Sequence, residues 1–181
     1  MSTSRIIALV FAFAAISCVS SLNLRANIDP SDELQQILNG FWEQAGQNDP
    51  TTVLSCFSGD SPQLTVDFFA TLTDALANSQ YVKVPAIVNN YKKSIPDSVV
   101  PCMTNNTEVI QVSKVYGTYQ IKLTDLFAKV EKFVVGHVDE VHGDFVQLNM
   151  QLQAGNYNIY GRDAGALLLQ IMSGSSRRIR F

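Results

Sequence analysis

Between Val109 and Leu152 the apolar residues fall at Val112, Tyr116, Tyr119, Leu123, Leu126, Phe127, Val130 and Val134. They continue at Val138, Val141, Phe145, Leu148 and Leu152. Steps of three and four trace one face of an α-helix, whereas a half-buried strand alternates every two residues. No proline interrupts this stretch, and only Gly117, Gly136 and Gly143 offer places to bend it. A single helix of that length does not suit a compact domain, where helices average roughly 11–12 residues. The pattern therefore predicts a break at Gly136 or Gly143, giving two antiparallel helices against which the other segments pack.

The preceding half reads as shorter helices. Asp29-Pro30-Ser31-Asp32-Glu33 opens one, with Asp29 or Ser31 placed to cap it and acids in its first turn. Leu34, Ile37, Leu38, Phe41, Trp42 and Ala45 then make one apolar stripe, which puts the sole tryptophan in the core. Asp49-Pro50 starts a short helix carrying Leu54, Cys56 and Phe57. Ser61-Pro62 looks like an N-cap followed by proline at the first helical position. Leu64, Phe68, Phe69, Leu72, Ala75 and Leu76 form the stripe that follows. Tyr81 to Tyr91 continues with Val84, Ile87 and Val88, and Pro85 falls in its first turn. Ile95-Pro96-Asp97 and Val100-Pro101-Cys102 mark a corner. After Gly155-Asn156 the final helix spans about Tyr157 to Met172, with Tyr160, Ala164, Leu167, Leu168 and Ile171 apolar. Gly161 and Gly165 stand four apart on one face of it. Each costs nearly 1 kcal/mol of helix propensity relative to alanine. That cost makes sense if a neighbouring backbone or a ring such as Trp42 approaches closely there.

The first residues set the compartment. Arg5 precedes the apolar run Ile6 to Ile16, and small residues follow at Ser17, Cys18, Ser20 and Ser21, the layout of a secretory signal peptide. The run is well short of the roughly 20 residues that cross a bilayer. Residues 1–20 are therefore expected to be removed. A single domain over 21–173 and a flexible basic tail at 174–181 with Arg177, Arg178 and Arg180 would remain. Loss of Cys18 leaves Cys56 and Cys102, which in an oxidising compartment are expected to pair. The alternative, a nucleophilic thiol, needs a free cysteine beside a base. Asn105-Asn106-Thr107 is an acceptor triplet for N-glycosylation at Asn105.

Composition narrows the function classes. The chain holds 13 basic and 16 acidic residues, and loss of Arg5 leaves 12 against 16, with no basic footprint for nucleic acid. Charged residues make up 16% of the chain, below the roughly 25% of average proteins, and amides and hydroxyls supply much of the polar surface. Both histidines lie in Gly136-His137-Val138-Asp139-Glu140-Val141-His142-Gly143-Asp144. Five residues apart, they diverge on a helix rather than sharing the one face that a two-histidine zinc site needs. Asp139 and Glu140 are adjacent and do not face each other. No Gly-x-Ser-x-Gly elbow, phosphate-cradling loop or dinucleotide fingerprint occurs. No catalytic residue, cofactor-binding residue or metal ligand is assigned, and no cofactor is expected.

The run Tyr157-x3-Gly161-x3-Gly165-x-Leu167-Leu168, behind a signal peptide and a helical body, resembles the C-terminal end of small secreted helical proteins of ciliates. The resemblance implies a secreted helical protein; it carries no activity and transfers no functional residue. The expectation is an all-α, irregular bundle of five to seven helices stapled by one disulfide, secreted and not an enzyme. It would act as an interaction or matrix component with an unknown protein partner. The alternative is a carrier of an apolar small molecule or lipid in the bundle core, motivated by ten phenylalanines and six tyrosines. No nucleic-acid partner and no stable membrane anchor after signal removal are expected.

Overall fold

The computed structural model describes residues 29–47, 50–119, 125, 129–130, 132–133 and 136–174. The expected signal peptide, the tail beyond Gly174, and Leu123, Leu126, Phe127 and Val134 lie outside them. The described residues form eight α-helices and no strand: α1 (Pro30–Gln44), α2 (Thr51–Leu54), α3 (Ser61–Ala77), α4 (Val84–Ser94), α5 (Val99–Asn105), α6 (Thr107–Val115), α7 (Val138–Gln153) and α8 (Tyr157–Ser173). A 3-10 turn, Tyr81–Lys83, leads into α4. The all-α bundle expected from periodicity is what the chain forms. Helix α5 falls where the two prolines suggested an irregular corner. Pro101 is accommodated there because it falls in the first turn, whose N–H groups have no intrahelical acceptor.

The helix ends follow local chemistry. Asp29 caps α1 by accepting from the Ser31 amide at 2.9 Å, and Asp32 and Glu33 occupy its first turn. Asn106 caps α6 by accepting from the amides of Glu108 and Val109 at 2.9 and 3.2 Å. At α3 the expected cap moves by one residue. Ser61 is already helical, its hydroxyl donates back to the Ser58 carbonyl at 2.7 Å, and Asp60 takes the cap position.

The long periodic stretch breaks at Gly136–His137, one of the two expected places, and also at Gly117. Gly117 adopts φ +67°, a left-handed conformation that suits glycine, just beyond the end of α6. The Tyr116 amide meanwhile bonds to the Val112 carbonyl. Gly136 and His137 directly precede α7, but Gly143 lies inside that helix and does not interrupt it. Helical periodicity carries across a break without a signature. Gly117 ends α6 because it can take the terminal left-handed turn; Gly143 sits where the helix continues regardless.

The centre of the fold is the crossing of α1 and α8, the first and last described helices. They meet at backbone contact. A Cβ on Gly161 would overlap the Ile37 carbonyl oxygen and lie 2.8 Å from its carbon. One on Gly40 would overlap the Asn158 carbonyl oxygen and lie 2.7 Å from the Arg162 nitrogen. The close backbone approach expected of the α8 glycine pair is met at Gly161, and the space at Gly165 is not filled by Trp42. The Tyr116 hydroxyl and the Gln44 side chain occupy it. Helix α3 packs against α1, α4 and α7, and α7 also packs on α8. Trp42, Tyr116, Tyr160, Phe41 and Phe145 are fully buried between these layers.

Buried tyrosine hydroxyls are satisfied, as their desolvation requires. Tyr116 donates to the Phe41 carbonyl at 2.7 Å, and Tyr160 pairs with Thr73 at 3.3 Å. Tyr157 donates to Glu33 at 2.7 Å. Glu33 is only 1% exposed, yet its carboxylate sits in the first turn of α1, where the helix dipole favours negative charge.

Candidate functional site

Helices α3 and α4 form an antiparallel hairpin through a tight connection in which Ser79 takes φ 56°. Proline in the first turn of α4 fixes its start, and its apolar face is narrow, with Val88 and Tyr91 as its buried positions. The narrow face covers α3 incompletely. Between the two helices lies a cleft of about 240 Å³ open to solvent, lined by Leu64, Phe68, Ile87 and Tyr91, with Asp67, Thr71, Asn90 and Ser94 around them. It is smaller than the roughly 300–1,000 Å³ of drug-sized ligand sites. It has room for a partner's side chain or a compact apolar molecule.

The floor of the cleft is preorganised. The rings of Phe68 and Tyr91 stack with centroids 4.0 Å apart and planes 15° from parallel. The Tyr91 hydroxyl pairs with that of Thr65 at 2.9 Å, and Thr65 in turn donates to the Ser61 carbonyl at 2.7 Å. Burial pushes the Tyr91 phenol up to about 12 and the Thr65 hydrogen bond offsets part of that, so the ring is neutral at physiological pH. Asp67, Thr71, Asn90 and Ser94 are exposed. The Asp67 carboxylate accepts from the Gln63 amide at 2.7 Å. Apolar ring surface framed by amide, hydroxyl and carboxylate groups offers contact area and orienting hydrogen bonds.

The residues singled out in the sequence are scattered over the fold. Cys56 and Cys102 are joined by a disulfide with Cα atoms 5.5 Å apart. Asn105 is the exposed last residue of α5, one turn beyond Cys102. Gly161 and Gly165 face α1 and Tyr116 as described above. None of these lines the cleft. Its residues were legible as apolar stripes, but no sequence signal showed where two such stripes part.

The acidic histidine-containing segment is spread along the start of α7. The Nδ1 of His137 lies 3.0 Å from the Phe133 carbonyl oxygen, and its ring stacks on Phe133 at 4.6 Å. Asp139 and Glu140 are exposed, and His142 is half-buried. Burial, reinforced by the Glu140 charge one turn earlier, pushes the Asp144 carboxyl up to about 6. Among the described residues no three histidine, cysteine or acidic side chains gather to hold a metal ion. A second buried acid besides Glu33 has no signal in the sequence. Asp163 on α8 is 6% exposed, its carboxyl pushed up by burial and held back in part by Arg162, whose Nε lies 3.7 Å away.

Compared with protein families, curated proteins and solved structures, the chain matches none of them. Among the described residues no helix is long and apolar enough to cross a membrane.

Proposed function

We propose that this chain is a secreted, non-enzymatic interaction protein that engages a partner through the α3–α4 cleft. The observation that carries the reading is the contrast between a centre filled by large side chains and an open, ring-floored cleft at the surface. A stacked, hydrogen-bonded floor loses little side-chain freedom when it is covered, so an inserted apolar side chain retains most of the free energy of its burial. Exposed Tyr81 and Val82, the latter 90% exposed, extend the apolar surface of the same hairpin. The signal-like first residues and the paired cysteines support an oxidising compartment outside the cytosol. The absence of a catalytic motif in the sequence supports a binding role.

A second reading is the carriage of a small apolar molecule. The apolar lining of the cleft favours it. Native mass spectrometry of protein secreted by its own cells, compared with a Thr71→Arg variant, tests both readings. Thr71 is exposed at the cleft, so the variant blocks the mouth and leaves the core intact. A partner or self-association present in the wild type and lost in the variant supports the interaction reading. Extra small mass that leaves on denaturation, and is absent from the variant, replaces that reading with the carrier. A bare monomer in both samples overturns the two together.

A further inference from the structure

We propose that Asn105 carries an N-linked glycan, and that the glycan's base covers the exposed half of the Cys56–Cys102 disulfide. Asn105-Asn106-Thr107 is the one Asn-x-Ser/Thr triplet in the chain. The fold presents it outward: Asn105 and Thr107 are both exposed, at the bend where α5 ends and α6 begins. The middle residue makes the bend rigid. Asn106 is extended at φ −74° and ψ 124°, and its carbonyl oxygen Oδ1 caps α6. Its Nδ2 donates to Thr52 at 3.1 Å, which ties the corner to α2. A bulky sugar on Asn105 therefore projects into solvent and displaces no packed group.

The disulfide beneath is asymmetric. Cys56 is 5% exposed, whereas Cys102 is exposed on α5. Cys102 and Asn105 are three apart on the same helix and so neighbours on one face. Thiol attack on a disulfide depends on access to sulfur, and Cys102 is the more exposed of the two cysteines. A glycan rooted one turn away stands over Cys102.

The modification requires a lipid-diphosphate-linked oligosaccharide as donor. Asn105 Nδ2 attacks the anomeric carbon, forming a C–N bond. The bond from that carbon to the diphosphate oxygen breaks, the diphosphate leaves with the electron pair, and one amide proton passes to a base.

The inference rests on the secretory reading, and the experiment separates the two. The full chain, with Asn105→Gln and Thr107→Ala variants, is expressed in glycosylating eukaryotic cells, and medium and cell fractions are mapped by mass spectrometry. The expected result is glycosylated Asn105 in the medium, stripped by a glycan amidase that converts the acceptor to aspartate, with both variants unmodified. The glycosylated disulfide should then be reduced by dithiothreitol several-fold more slowly than the amidase-treated or variant forms. Secreted protein with bare Asn105 overturns the glycan and leaves secretion standing. A chain confined to the cytosolic fraction overturns both. Equal reduction rates with and without the glycan overturn the covering of Cys102.

Discussion

The Tyr116 hydroxyl is buried where α1, α8 and the end of α6 meet. It donates to the carbonyl of Phe41 on α1 at 2.7 Å and occupies the space a side chain at position 165 would need. Gly165 is thus a glycine because of an oxygen that belongs to a third element. Tyr116→Phe should cost about 1 kcal/mol through the lost hydrogen bond. Gly165→Ala should cost more than that, by forcing the ring or α8 aside. The pair should cost less than the sum, with a coupling of at least ~0.5 kcal/mol, because the phenylalanine vacates the space the new methyl needs. Rescue stays incomplete since Gln44 Cβ and Cγ remain 3.1 Å from that methyl. Urea unfolding of the four proteins measures the cycle, and strict additivity would mean that the hydroxyl is not what excludes alanine. The glycine pair on α8 was visible in the sequence because two glycines four apart contradict helix propensity. Gly40 carries the same signal alone inside the α1 stripe and approaches α8 just as closely.

At the scale of elements, identical residues in helices have opposite meanings. Around Gly143, inside α7, an added Cβ meets no atom within 4 Å. Gly143→Ala should therefore stabilise the protein, by up to ~1 kcal/mol, as alanine restricts the unfolded chain and favours the helix. Gly161→Ala introduces the same methyl against the Ile37 backbone, which cannot rotate away as a flexible side chain could. It should destabilise by about 1–3 kcal/mol or more, as overpacking does. Thermal melts of the two variants should move in opposite directions; a shared direction would mean that the α1–α8 crossing is looser than it stands here. Helix existence and most buried stripes were legible: Leu34, Ile37, Leu38, Phe41 and Trp42 are all buried on α1. Of the breaks in the 109–152 pattern, the one at Gly136 was among the two expected and the one at Gly117 was not. Gly117, Gly136 and Gly143 are equal candidates by residue type, and only the backbone conformation each adopts distinguishes them.

For the molecule as a whole, the disulfide links the α2 turn to α5 across 46 positions. Closing a loop of that size removes unfolded-chain entropy worth about 4 kcal/mol in the chain-entropy model. That is a large share of a typical stability of roughly 5–15 kcal/mol. Cys56→Ser with Cys102→Ser should lower the free energy of unfolding by about that amount in denaturant titrations. Circular dichroism of the variant at low denaturant should still show a helical protein, because the α1–α8 crossing and the buried tyrosine hydrogen bonds do not involve the bridge. A loss below ~1 kcal/mol would show that the Asn106–Thr52 contact and local packing already hold the corner without it.

The sequence by itself determined the all-α class, the order of most helices, the buried tryptophan and the pairing of the two cysteines that remain beyond the signal-like segment. Each of these follows from local periodicity, capping chemistry or counting, which are readable along one dimension. Tertiary structure decided which glycine ends α6, that Tyr116 rather than Trp42 fills the space at Gly165, and that α4 leaves part of α3 uncovered as a cleft. Those outcomes depend on which faces meet and how closely. A hydrophobic stripe records that a surface will be buried; it does not record the neighbour that buries it or the place where two stripes fail to close.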